Sequence, residues 1–137
     1  MQLILVRAFV VWLLIIGLET VHGILRTVFL APWIGDFPSR QIAVFTGSLL
    51  IFLVSLLTVS WIQAGSTRQW LLVGLVWVAV TVLFEVALGK VLLALPWERI
   101  FEDYDVTRGG LLGFGLLFML LSPMLAGKVR KIKSVAS

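Results

Sequence analysis

Four long apolar runs separated by short polar stretches set the layout of the chain: about Leu3 to Leu25, Ile42 to Ile62, Trp70 to Gly89 and Gly109 to Gly127. Each is close to the roughly 20 residues an α-helix needs to cross the hydrocarbon core of a bilayer. The pattern predicts a single four-helix transmembrane domain over residues 1–137, with no soluble domain left over. The first run is longer than the roughly 7–15 apolar residues of a signal peptide. Glu19, His22 and Arg26 also stand where a small-residue cleavage site would be, so this run reads as a retained helix.

The polar residues that interrupt the runs recur in order. Glu19, Gly23 and Gly47 fall 66 residues before Glu85, Gly89 and Gly113. Pro32-Trp33 corresponds to Pro96-Trp97, and the loop from Asp36 to Arg40 to that from Asp103 to Arg108. Such self-similarity predicts two repeated helical hairpins, about 1–63 and 68–128. A repeat of two helices keeps its orientation, so its pseudo-two-fold axis should run along the membrane normal. The expected fold is therefore an all-α integral membrane protein of four transmembrane helices, with Glu19 and Glu85 at one depth. Ser39 and Thr107, just before apolar helices, read as N-caps, and Pro123 as a kink in the fourth helix. Gly109, Gly110, Gly113 and Gly115 read as a bare flank for close helix approach.

Composition strengthens the membrane reading, since 61% of the 137 residues are hydrophobic, against about 45–50% in soluble domains. The mean hydropathy is +1.11. The net charge of +4 is concentrated in the tail over 128–137, where Lys128, Arg130, Lys131 and Lys133 follow the last run. Basic flanks stay inside, which predicts a bacterial inner (plasma) membrane protein with both termini cytoplasmic. The partners expected are the lipid bilayer and either a second copy, as a homo-oligomer, or another membrane protein; no aromatic-basic nucleic-acid surface is present. The absence of cysteine excludes disulfides, thiolate metal sites and iron–sulfur clusters. A single histidine excludes bis-histidine haem within one chain, and no phosphate cradle or catalytic triad appears, so no cofactor and no catalytic residue are expected.

The candidate chemistry is an intramembrane polar cluster of Glu19, His22, Arg26 and Glu85. Trp12, Glu19, His22, Gly23 and Arg26 share one helical stripe, because spacings of three, four and seven return to one face. A charge at mid-bilayer costs roughly 2.5–3.5 kcal/mol even on lenient scales, so this stripe must face protein or a water-filled cavity. Glu19 can reach His22 one turn on, and His22 can reach Arg26. Lys90 points away from Glu85 and should snorkel to the interface. A second set of charges lies at helix ends and loops: Asp36, Arg40, Asp103, Asp105 and Arg108.

Three uses of the cluster stand open. One is an ion-pair network holding helices together, with Arg40 or Arg108 answering the glutamates. Another is a proton or cation relay through a buried carboxylate beside a histidine. The third is acid–base catalysis, which lacks any identifiable nucleophile or oxyanion site. No metal is expected: a Glu-x-x-His pair such as Glu19 and His22 would need a twin, and Leu88 stands where the repeat would supply the second histidine. The polar stretch Trp97 to Gly110 reads as an outer amphipathic helix with Trp97, Ile100, Phe101 and Tyr104 on one face, or as a cation funnel. The chain is thus expected to be a proton- or cation-linked transporter or channel subunit, or else a non-catalytic accessory or assembly subunit of a larger membrane complex.

Overall fold

The apolar runs become helices that start earlier or end later than hydropathy alone marks. The computed structural model describes residues 2–130, so Lys131 and Lys133 of the basic tail lie outside the described residues. Helix α1 spans Gln2–Leu25 and continues through a wide π-turn, Arg26–Leu30, into α2, Ala31–Ile34. Gly35, with φ +96°, breaks this rod, and α3 runs over Asp36–Ile62. Helix α4, Thr67–Ala87, passes through a second π-turn, Leu88–Leu92. The short α5, Trp97–Glu102, and a 3₁₀ turn at Val106–Arg108 lead to α6, Leu112–Val129. Among the described residues there is no strand. Four helical stretches, Gln2–Ile34, Asp36–Ile62, Thr67–Leu92 and Leu112–Val129, are long and apolar enough to cross a membrane.

The local chemistry of the ends explains the shifts. Helix α3 begins at Asp36, whose carboxylate lies in its first turn, so Ser39 is not its N-cap. Ser39 is instead a buried residue that donates its hydroxyl to the Asp36 carbonyl at 2.7 Å. Thr107 also caps no long helix: Asp105 accepts from its amide at 3.1 Å and holds the 3₁₀ turn, and α6 starts five residues later. The working cap is Ser66 of α4, which accepts from the Gln69 amide at 3.2 Å while Gln69 Oε1 accepts from the Gly65 amide at 2.7 Å. This is a capping box with its return bond moved by one residue.

The helices pack in the cyclic order α1, α3, α6, α4, and their packing differs sharply between the two ends. Toward the termini the bundle is solid: Val11, Trp12 and Ile15 of α1 meet Val54 and Val59 of α3, Trp70, Val73 and Trp77 of α4, and Met119 and Ala126 of α6. Two tryptophans tie α1 to α4, since Trp12 Nε1 donates to Thr81 Oγ1 at 2.9 Å and Trp77 Nε1 to the Ala8 carbonyl at 2.8 Å. Between α3 and α6, the hydroxyls of Ser55 and Ser122 meet at 2.9 Å. The Ser55 proton already goes to the Ile51 carbonyl at 2.8 Å, so Ser122 is the donor across the pair.

Close approach comes from a glycine outside the expected stripe. A Cβ on Gly74 of α4 would fall on the carbonyl group of Leu120 in α6, so these backbones touch only because position 74 has no side chain. Of the four glycines expected to form the flank, Gly115 takes α3, with Val44 at 3.1 Å from its would-be Cβ, and Gly109 lies against Gln41 and Phe37 of the same helix; Gly113 faces open space. Gly109 has φ +89° and Gly110 abuts the backbone of Glu102 and Asp103, so both serve the turn into α6. A sequence shows which residues are small, not which small residue a neighbouring backbone reaches.

Candidate functional site

Away from the termini the four helices separate around a cavity of about 570 Å³. Its floor is the upper layer of the packed half, where Ile15, Ile51, Thr81 and Met119 line it. Thr81 closes this layer by accepting from Trp12 while facing the Met119 sulfur at 3.5 Å. Most of the wall is apolar, and its polar lining comes chiefly from Glu19 and His22 of α1, Glu85 of α4 and Tyr104 beyond α5, with Arg26, Arg40, Arg99 and Asp103 at the outer end.

Glu19 and His22 adjoin as their spacing requires, with His22 Nδ1 at 3.6 Å from Glu19 Oε2. That distance is too long for a hydrogen bond and is an ion pair only when the ring is protonated. The other ring nitrogen, Nε2, lies 2.6 Å from Thr46 Oγ1 on α3. A ring that takes the Thr46 proton at Nε2 carries its own on Nδ1, facing Glu19. The Glu19 carboxylate lies over Gly47, where a Cβ would come within 2.8 Å of Oε2 and 3.3 Å of Oε1. Glu19 Oε1 is buried without a hydrogen-bond partner among the described residues. Glu85 opens onto the cavity and makes no ion pair among the described residues.

The arginines do not answer these glutamates. Arg26 turns outward to Asp36 Oδ1 at 3.1 Å and Ser39 Oγ at 2.8 Å, so it leaves His22. Arg40 binds Asp36 at 3.0 Å, Glu102 at 2.8 Å and Asp103. Arg99 reaches Asp36 at 3.7 Å and Asp103 at 3.4 Å. Three guanidinium groups and three carboxylates thus form a charge-balanced end wall that ties α1, α3 and α5 together. Arg108 lies apart, exposed, at 3.6 Å from Asp105. Lys90 also keeps away from Glu85, donating to the Leu95 carbonyl at 3.1 Å beneath the Trp97 ring.

The expected single apolar face of the Trp97 to Tyr104 stretch is divided. Trp97 and Phe101 stack outward with centroids 5.6 Å apart, while Ile100 is buried against Gly89. Tyr104 lines the cavity, and its hydroxyl is buried without a hydrogen-bond partner among the described residues. Burial, with the charges of Glu85 and Asp103, pushes its phenol above the ordinary value, so it keeps its proton throughout the physiological range. Thr46, Gly47 and Tyr104 are thus site residues whose part the spacing argument missed. The signal for Tyr104 was available, since a lone tyrosine in an amphipathic stretch needs a partner for its hydroxyl.

The cavity also reaches the side of the bundle. Ile24 on α1 and Leu93 beyond α4 both line it, yet are 57% and 59% exposed. They mark an apolar rim between the outer end of α1 and the segment that follows α4. No family model, curated protein or solved structure matches the chain.

Proposed function

We propose that the protein is a proton- or cation-linked transporter or channel subunit of a membrane. The observation that carries this reading is two glutamates from different helices, one of them without an ion-pair partner, facing one cavity that stops at a packed layer partway through the bundle. Carboxylates placed at membrane depth and left without a cation are expensive, and they recur where protons or cations pass. In this reading the four helices span the bilayer, both termini face the cytoplasm, and the cavity lies toward the outer leaflet. The two hairpins form a duplicated unit whose matching helices stand side by side, α1 beside α4 and α3 beside α6, rather than across a central axis. The reciprocal tryptophan bonds between α1 and α4, the Ser55–Ser122 pair and the π-turn that follows each glutamate support the duplication. A homo-oligomer would let the path across the packed half form between protomers.

The test is flux in proteoliposomes that enclose a pH dye, driven by a potassium diffusion potential. The wild-type chain should move protons or monovalent cations, and Glu19→Gln and Glu85→Gln should each slow that movement by at least about tenfold while α-helical content stays unchanged. Wild-type vesicles no leakier than empty ones, or unaltered flux in both variants, would remove the reading. One observation favours an accessory subunit instead: Phe29, Trp33, Val91 and Leu92 form a large exposed apolar collar beyond the two glutamate helices. Native mass spectrometry from the protein's own membrane separates the two, because a fixed complex with other chains would identify a subunit and a homo-oligomer a self-contained unit.

A further inference from the structure

The two buried side-chain atoms without hydrogen-bond partners among the described residues, Glu19 Oε1 and the Tyr104 hydroxyl, belong to residues that line the same cavity. Buried polar atoms are nearly always paired, so two orphans in one space point to a guest that pairs them. Glu85 adds a third polar group facing that space, and its charge acts on the Tyr104 hydroxyl. Each of the three offers an oxygen acceptor, and two of them are carboxylates.

The rest of the wall restricts the guest. A bare divalent metal ion needs several ligands, and no group of three or more metal-binding side chains occurs among the described residues. A volume of about 570 Å³ falls in the range of small-molecule sites, which are mainly apolar with a few placed polar groups. The arginines and carboxylates of the end wall, which also line the cavity, already satisfy one another and leave no free charge for the guest. The rim at Ile24 and Leu93 is apolar and lateral, suited to a guest that arrives with its hydrocarbon part leading.

We propose that the cavity binds a primary ammonium group carrying an apolar body, with its three N–H donors divided among Glu19 Oε1, Glu85 and the Tyr104 oxygen, entering sideways between α1 and the segment after α4. A primary ammonium has three donors and no acceptor, which matches three acceptor oxygens. A quaternary ammonium has the charge but no N–H, and an alcohol has neither the charge nor enough donors. The proposal names the substrate class of the site described above and rests on reading that cavity as the place where cations are handled.

The experiment is equilibrium binding by calorimetry to the full chain in nanodiscs of zwitterionic lipid, using decylamine, decyltrimethylammonium and decanol, each corrected for partition into empty nanodiscs. Decylamine should bind saturably, at least about tenfold tighter than either of the others, since charge-assisted hydrogen bonds separate it from both. Glu85→Gln and Glu19→Gln should each weaken decylamine by at least about tenfold, and Tyr104→Phe by about tenfold or more, the range of a hydrogen bond with a charged donor. Tyr104→Phe should leave decyltrimethylammonium unchanged, a contrast that a folding defect would not produce. No saturable decylamine binding, equal affinity for the quaternary probe, or indifference to all three substitutions would overturn the proposal. Glutamate-dependent flux without decylamine binding would remove the amine and leave the transport reading intact, whereas decylamine binding in a chain without flux would do the reverse.

Discussion

Gly74→Ala is expected to drive α4 from α6 and to lower stability by about 3 kcal/mol, the top of the range for overpacking and more than about a hundredfold in the folded-to-unfolded ratio. The new methyl would meet the Leu120 carbonyl, and a helix backbone cannot step aside as a side-chain tip can. Any separation also propagates, because Trp70 of α4 lies against Gly127 of α6, with ring atoms 3.2 and 3.3 Å from the place a Cβ would take. The control is Gly113→Ala in α6, where the added methyl meets nothing within 4 Å. That change should be neutral or stabilising by about 0.5–1 kcal/mol through better helix propensity. Unfolding in mixed detergent micelles followed by circular dichroism measures both. Similar curves for the two variants would mean that the α4–α6 contact does not hold the bundle.

Arg40→Met is expected to cost about 2–3 kcal/mol and to release α5. Removing one member of a buried ion pair costs roughly 3–5 kcal/mol, and of an exposed pair about 0–1 kcal/mol. Arg40 is only 12% exposed, but Asp36 and Glu102 are 54% and 38% exposed, which puts this case between the two. Glu102 then loses its cation, whereas Asp103 and Asp36 keep Arg99. The effect should therefore concentrate on α5, seen as faster amide exchange over residues 97–104 with little change in the packed half. Arg40→Lys should restore only part of the loss, because an ammonium cannot engage three separate carboxylates through a planar fork. Unchanged exchange over 97–104 would refute the tether.

The four helices were legible in the sequence because a helix long and apolar enough to cross a membrane leaves a run that nothing else in the chain mimics. Glu19 and His22 were legible as neighbours because helical geometry alone places residues three apart side by side. What failed were statements about partners across helices. Arg40 was expected to reach a glutamate on the helices; it found three acids at loops and helix ends instead, because α3 begins at Asp36 and carries Arg40 in its second turn, beside α5. Ser39 and Thr107 were read as caps from their place before apolar runs, but α3 starts after Gly35 with no side-chain cap, and Asp105 caps only the 3₁₀ turn that holds Thr107. Gly74 lay unmarked inside an apolar run, since only the third dimension reveals that Leu120 comes against it. The extent of the cavity was not legible: Glu19, His22 and Glu85 marked part of its wall, but the apolar residues that complete it read like any others in their runs.

The solid half of the bundle has a consequence for light emission. Of the six tryptophans, Trp12, Trp70 and Trp77 are buried there, while Trp33, Trp61 and Trp97 are exposed. Indoles divided this way emit as two populations, one blue and shielded from aqueous quenchers, the other redder and quenchable. Water that passed Thr81 and Met119 would reach the first population and extinguish it. The chain therefore carries its own optical gauge, and the blue component should dim whenever the floor of the cavity opens.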